Sequence, residues 1–152
     1  MRKVLFIILL SIASVMQAED FEPVVDGVIM HFNKPFITPK GVRCQFVKMD
    51  FRDCSGYKPY AQVFCLQYGD KNYYGIMSKY NEILYDPIFD EYFEFKAAKV
   101  HIMVKNDLYT VIGFNKKLLA KAQEDIELDN KNHMIIGIDE DGNKTYIPWQ
   151  DD

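Results

Sequence analysis

The sequence is poor in the residue types that most often build metal and redox sites. It contains three histidines and three cysteines among 152 residues. The histidines, His31, His101 and His133, are too far apart along the chain to form a metal-binding pair on one element. The sequence also lacks a Cys-x-x-Cys pair, a glycine-rich phosphate loop and a Gly-x-Ser-x-Gly elbow. We therefore expect no metal, no cofactor and no enzymatic activity.

Clusters of positive charge are also missing. Eighteen lysines and arginines stand against 22 aspartates and glutamates, which gives a net charge of −4. Nucleic-acid binding needs Lys and Arg gathered on one face to contact phosphates. The composition therefore excludes nucleic acid as an expected partner.

Long hydrophobic runs are missing except at the start of the chain. Arg2 and Lys3 precede an unbroken apolar run at 4–10, and small residues follow before the acidic pair after Ala18. This order is typical of a secretory signal peptide. The run is shorter than the roughly 20 residues of a membrane-spanning helix. We predict a signal peptide at 1–18, cleaved after Ala18 or slightly earlier, and one extracytoplasmic domain at 19–152 without a membrane anchor.

Export would permit a disulfide bond. Cys44 and Cys65 lie in two apolar runs that could pair as a hairpin, whereas Cys54 lies in a turn-like segment. Three thiols allow three alternative pairings. The preferred hypothesis is a bond between Cys44 and Cys65, and the alternative is that all three cysteines are reduced.

Short stretches rich in Val, Ile, Tyr and Phe alternate with turn residues along most of the chain. This spacing predicts a mainly β domain. Residues 115–128 are the exception, because their apolar positions lie near helical spacing and Ala, Lys, Leu and Glu are frequent there. We expect one small β domain, with a helix at 115–128 as an alternative to strands.

The chain contains degenerate internal repeats at 27–39, 75–87, 110–121 and 137–148. In each window an apolar strand is followed by a polar centre and a second strand, and three of the windows end in proline. Asn81 and Gly142 can form tight turns because both residue types tolerate positive φ. Each window therefore predicts a β-hairpin, and several hairpins stacked together would share a core.

The segment from Tyr74 to Glu91 resembles the bacterial WG repeat, also called the KWG repeat. Tyr74-Gly75-Ile76-Met77 and the later Asp86-Pro87-Ile88-Phe89-Asp90 follow its plan, and 137–148 follows it more loosely. The signature tryptophan before glycine is Tyr74 here. The resemblance implies a β-hairpin repeat domain that mediates binding rather than catalysis.

The segment 85–95 is unusual because five aromatic residues are interleaved with four carboxylates. Exposed aromatic residues would provide contact area for a protein, and the carboxylates would favour a basic partner. The alternative is a strand with an aromatic core face and a solvated acidic face. The candidate partner-binding residues are Tyr85, Phe89, Asp90, Glu91, Tyr92 and Glu94.

These observations favour a non-enzymatic exported binding domain whose ligand is a protein or a surface polymer. A small inhibitor or immunity-type protein that blocks a basic partner is the alternative within binding. A small hydrolase is the third hypothesis, and it would have to use His101, His133 and nearby carboxylates.

Overall fold

The computed structural model describes residues 31–32, 34–49 and 61–150, so the predicted signal peptide and Cys54 lie outside the described residues. The described part contains one turn of 3-10 helix, Lys96–Ala98, and twelve strands. The strands are β1 (Phe36–Ile37), β2 (Arg43–Lys48), β3 (Ala61–Tyr68), β4 (Lys71–Ser78), β5 (Ile83–Phe89), β6 (Glu91–Phe95), β7 (Val100–Lys105), β8 (Leu108–Gly113), β9 (Leu118–Gln123), β10 (Asp125–Asp129), β11 (Met134–Ile138) and β12 (Lys144–Pro148).

The strands form three antiparallel sheets, and in each sheet the strand order follows the chain order. The first sheet contains β1 to β5, the second β6 to β9 and the third β10 to β12. Neighbours in sequence are therefore neighbours in space, as expected for successive hairpins. The prediction of a mainly β domain is confirmed.

The second sheet lies between the other two because both of its faces are apolar. Alternate residues of β7 point to opposite faces. Ile102 packs in a cluster with Ile135 of the third sheet, whereas Met103 packs in a cluster with Val63 and Ile76 of the first sheet. Burying each such side chain contributes about 1.5–3 kcal/mol. These two clusters therefore hold the three sheets in a stack.

The chain passes from one sheet to the next in the same way twice. A single residue, Asp90, separates β5 from β6, and a single residue, Glu124, separates β9 from β10. The backbone N–H of Asp90 donates to the carbonyl of Val104 at 2.7 Å, and that of Glu124 donates to the carbonyl of Ile138 at 2.7 Å. Each connector thus ends pairing in one sheet and begins pairing in the next.

Within the described residues one hairpin turn occurs four times, at 38–42, 78–82, 113–117 and 139–143. In each copy the N–H of the first residue donates to the carbonyl of the fifth, and the N–H of the fourth donates to the carbonyl of the first. This pattern is that of a three-residue hairpin loop, which requires a left-handed residue before the second strand. The fourth residues all have positive φ: Gly41, Asn81, Lys116 and Gly142.

The first side chain of the turn reinforces it. Oγ of Ser78 accepts the N–H groups of Tyr80 and Glu82, and Oδ1 of Asp139 accepts the corresponding N–H groups two and four residues later. In the third copy this position is Gly113, and Oδ1 of Asn115 accepts the N–H of Lys117 at 3.1 Å instead. The acidic residue Asp139 at 139–143 therefore has a structural role, because its carboxylate accepts two N–H groups of the turn.

Three of the repeat windows, 75–87, 110–121 and 137–148, each contain one copy of this turn flanked by two strands. The copy nearest the first window, 38–42, overlaps 27–39 only at its last two residues. The turn there begins at Thr38 and continues through Pro39, which suits the second position of such a turn. Residues 27–30 and Asn33 lie outside the described residues.

The alternative of a helix at 115–128 is wrong, because β9 and β10 occupy this segment. The register between β8 and β9 shifts twice, from Tyr109 opposite Gln123 to Ile112 opposite Leu118. These bulges, followed by the break at Glu124, disturb the two-residue alternation of the strands. The resulting apolar spacing mimics a helix.

The hypothesis of a disulfide between Cys44 and Cys65 is also wrong, because both cysteines are free. The two strands do pair, but Cys44 lies opposite Tyr68, and Cys65 lies opposite Val47. This three-residue offset places the thiols on opposite faces of the first sheet. Both are buried, and burial raises the pKa of the Cys65 thiol to about 11.

Replacing Gly142 with alanine should reveal the backbone requirement of the turn. Gly142 has a φ of +80°, and an added Cβ would meet nothing within 4 Å. The substitution should lower the free energy of unfolding by about 1 kcal/mol through backbone strain alone. Urea denaturation followed by Trp149 fluorescence measures this change. Gly142→Asn is the matched control and should lose less, because asparagine tolerates this conformation; equal losses would contradict the explanation.

Candidate functional site

The segment proposed for partner binding, 85–95, spans two sheets. Tyr85 and Phe89 lie on β5 in the first sheet, whereas Tyr92 and Glu94 lie on β6 in the second. Both strands are at the edge of their sheets. The segment is therefore one bent strand broken at Asp90 rather than a continuous flat edge.

The aromatic members of this segment are mostly packed. Phe89 is buried in the cluster between the first two sheets, and Tyr85 and Tyr92 pack against the same cluster. The Tyr92 ring lies 4.9 Å from the ring of Tyr74. Phe93, which was not among the predicted residues, is the aromatic side chain of the segment that is half exposed, at 49%. Most of the aromatic area is thus committed to the core.

The acidic members differ from one another. Asp90 and Glu91 are exposed, and Oδ2 of Asp90 accepts the N–H of Asn106 at 3.1 Å, so it supports the β7–β8 turn. Glu94 is half buried, and this burial raises the pKa of its carboxyl, although Lys96 acts in the opposite direction. The three carboxylates therefore lie in different surroundings.

An open groove of about 660 Å³ lies where β5 approaches β8 and β9. We call it the inter-sheet groove. Tyr85 and Phe89 line it, so two of the predicted residues belong to this site. Its other lining residues are Leu84, Asp86, Ile88, Lys105, Asn106, Leu108, Thr110, Leu118, Lys121 and Ala122.

The groove continues past Tyr85 into a second depression of about 450 Å³. Leu84 and Tyr85 line both parts, and Lys116 and Lys117 line the extension. The phenol of Tyr85 donates to the carbonyl of Lys116 at 2.9 Å, which fixes the ring between the two parts. Together the two parts form a channel along the edge of β5.

The charge at the inter-sheet groove is opposite to that of the whole chain. Lys105, Lys116, Lys117 and Lys121 line its two parts, whereas Asp86 is the carboxylate among the lining residues. The floor is apolar and includes leucines from β5, β8 and β9. An apolar floor with a few placed polar groups is the usual composition of a binding site.

The histidines proposed for a hydrolase do not form a site in the structure. His101 is fully buried, and its Nε2 lies 2.9 Å from the carbonyl oxygen of Ala61. His133 stacks on Trp149 with ring centroids 4.3 Å apart. Across residues 31–32, 34–49 and 61–150, no group of three or more His, Cys, Asp or Glu side chains could hold a metal ion. In the same residues no helix is long and apolar enough to cross a membrane.

Comparison of the chain with family models, with curated proteins and with solved structures found no match. The resemblance to the WG repeat therefore stays a prediction from the sequence.

Sequence reasoning missed most of the groove. The sequence places Ile88 in the segment 85–95 and Leu118 in the alternative helix at 115–128, and it assigns Leu108 to no element. Their common site depends on the stacking of two sheets. The lysines at 116, 117 and 121 are the one signal that the sequence offers, and the alternative helix at 115–128 places all three on the wrong element.

His101 should make the fold sensitive to acid. Burial lowers the pKa of His101 to about 4, against the opposing effect of its hydrogen bond to Ala61. The unfolded chain binds a proton near pH 6.5, whereas the folded chain does not. The free energy of unfolding should therefore fall as the pH decreases from about 6.5 to about 4, by up to about 3 kcal/mol from this residue.

Urea denaturation at several pH values measures this effect. His101→Gln keeps an amide that can donate to Ala61 and removes the titration, so its stability should decrease less between pH 7 and pH 4.5. His31→Gln is the control, because His31 is exposed. Parallel pH profiles for the parent protein and His101→Gln would contradict this assignment.

Proposed function

We propose that the chain is a non-enzymatic, exported binding module of WG-repeat-like hairpins, and that the inter-sheet groove receives an extended acidic segment of a partner protein. The groove is the observation that carries this proposal. It is open and largely apolar, and it lies between the edge strands β5 and β9. Edge strands and adjoining side-chain pockets are what extended peptides use for docking.

The lysines determine the sign of the charge that we expect on the ligand. Lys117 and Lys121 are exposed, and each lines a different part of the channel. A ligand with carboxylates at both ends and apolar residues between them would match the rim and the floor at once. Electrostatic complementarity of this kind mainly increases the association rate and the specificity. The groove therefore favours an acidic partner segment, whereas the sequence alone favoured a basic partner.

An acidic segment also suits the groove better than a neutral surface polymer does. Leu84, Ile88 and Leu118 offer aliphatic side chains that can contact the apolar side chains of a peptide. Tyr85 is partly committed through its hydroxyl group to the backbone of Lys116. A short contact of this size would bind weakly and reversibly.

Binding of two synthetic ten-residue peptides tests the proposal. One peptide alternates valine with glutamate, and the other alternates valine with lysine. The glutamate peptide should bind the full chain with micromolar to millimolar affinity and shift the backbone amide signals of Ile88, Leu108 and Leu118 in NMR spectra. Charge reversal in the double variant Lys117→Glu/Lys121→Glu should weaken its binding at least tenfold, because both parts of the channel then repel it.

Lys71→Glu is the matched control, since Lys71 is exposed and lies at the β3–β4 turn, away from the lining residues. It should change the affinity less than twofold. Equal shifts of the groove amide signals by both peptides, or no binding of the glutamate peptide at millimolar concentration, would overturn the proposal.

A further inference from the structure

The third sheet has one face in the core and one face at the end of the stack. Ile135 and Ile147 point inwards and are almost fully buried. Gly137 lies on the same inner face, where an added Cβ would be 2.7 Å from Oε1 of Gln123 on β9. The second and third sheets are therefore in close contact on this side.

The outer face of the third sheet follows from the strand register. Residues that alternate with Ile135 and Ile147 point away from the core. Nine residues point outwards, and they form three triplets across β10, β11 and β12. The triplets are Asp125, Ile138 and Lys144; Glu127, Ile136 and Tyr146; and Asp129, Met134 and Pro148. These nine residues, which we call the terminal face, form three rows along the strands.

Each row has one chemical character. The row on β10 consists of three carboxylates, and the row on β11 consists of three aliphatic side chains. The row on β12 contains Lys144, Tyr146 and Pro148, of which Tyr146 is 59% exposed. The aliphatic row is partly accessible, and Asp125 and Glu127 are exposed. An apolar stripe therefore runs beside a line of negative charge.

This composition is unusual for the end of a stack. Terminal repeats of stacked proteins normally carry a polar outer face that keeps them soluble. Polar-rimmed apolar patches of this kind commonly mark interaction sites. The centre of the terminal face is formed by the apolar residues Met134, Ile136 and Ile138. Charged residues at these positions would make the face more soluble.

We propose that the terminal face docks a protein partner that presents an apolar strip bordered on one side by lysines or arginines. The three carboxylates are spaced by about 6.6 Å along one strand, since each residue advances about 3.3 Å. Basic side chains on one edge of the partner strip can pair with this line. The surface is separate from the inter-sheet groove, and it selects the opposite ligand charge.

A second copy of the chain fits the terminal face less well. Lys144 is the one positive side chain among its nine residues and cannot match three carboxylates of another copy. Uncompensated carboxylates facing each other would oppose association. Hydrogen bonds from Asn132 lower the pKa of Asp129, so this carboxyl stays ionised at neutral pH. Charge complementarity therefore favours a basic partner over self-association.

The size of the terminal face sets the expected affinity. Three strands and five residues correspond to roughly 10 Å by 13 Å. This is well below the roughly 800 Å² per partner of a standard stable interface. We expect a transient complex with a dissociation constant in the micromolar range or weaker.

Two synthetic 18-residue amphipathic peptides test the proposal. Both carry the same leucine face, bordered by lysines in one and by glutamates in the other. Binding to the full chain is followed by NMR of isoleucine methyl groups. The lysine peptide should shift the methyl signals of Ile136 and Ile138 more strongly than those of the inward residues Ile135 and Ile147. The glutamate peptide should bind the terminal face at least tenfold more weakly.

Matched variants distinguish a loss of binding caused by lost charge from one caused by damage to the fold. Asp125→Asn/Glu127→Gln should weaken binding of the lysine peptide at least fivefold. The amide oxygen introduced at position 125 can still accept the N–H of Ile126 that Asp125 accepts, so the strand start is kept. Ile136→Thr should weaken binding further by removing apolar contact. Glu140→Gln/Asp141→Asn removes two exposed carboxylates of the adjacent turn and should change affinity less than twofold.

Three results would overturn the proposal. They are equal shifts of the Ile136 and Ile138 methyl signals by the two peptides, methyl shifts confined to residues outside the terminal face, and a dimer in sedimentation velocity that Ile136→Thr dissociates. The last result would assign the terminal face to a second copy. None of these results bears on the groove, which is probed through the amide signals of its own lining residues Ile88, Leu108 and Leu118.

Discussion

The requirement that an apolar sheet face be covered determines this architecture. In the second sheet, Ile102 and Met103 are adjacent in sequence and point to opposite faces, and both are buried. A sheet that is apolar on both sides is stable in water only between two other layers. The first and third sheets are those two layers. The chain reaches the next sheet directly through a single residue each time, Asp90 and then Glu124.

The sequence predicts the local elements of this fold well. Asn81 and Gly142 indicate the turns in which they lie, since few other residues adopt positive φ without strain. Lys116 fills the same position in a third copy without any such signal, and its turn is recognisable only from the hydrogen bonds that it shares with the others. Composition and turn residues therefore predict the β class. The repeated use of one turn is recognised only from the backbone hydrogen bonds of the described residues.

Register and stacking are what the sequence could not provide. Cys44 and Cys65 lie on paired strands, but a three-residue offset separates them onto opposite faces. At 115–128 two bulges moved apolar residues out of alternation, so the helical period was a better match than the true strands. The inter-sheet groove is lined by both β5 and β9, which are separated by three strands in the chain. The terminal face becomes visible only when Asp125, Glu127 and Asp129 are placed on one strand face.

The distribution of charge follows from the stack. Side chains at the junction of two sheets are drawn from strands that are distant in sequence, so lysines of β7 and β9 and of the loop before β9 meet at the inter-sheet groove. Side chains on the terminal face come from strands that are consecutive in sequence, so a simple alternation along β10 places three carboxylates in one line. The net charge of −4 indicates neither the local positive charge at the groove nor the line of carboxylates on the terminal face. Because fields from exposed charges decay within about 8–10 Å in physiological salt, the local sign at each surface, and not the net charge, governs which partner approaches it.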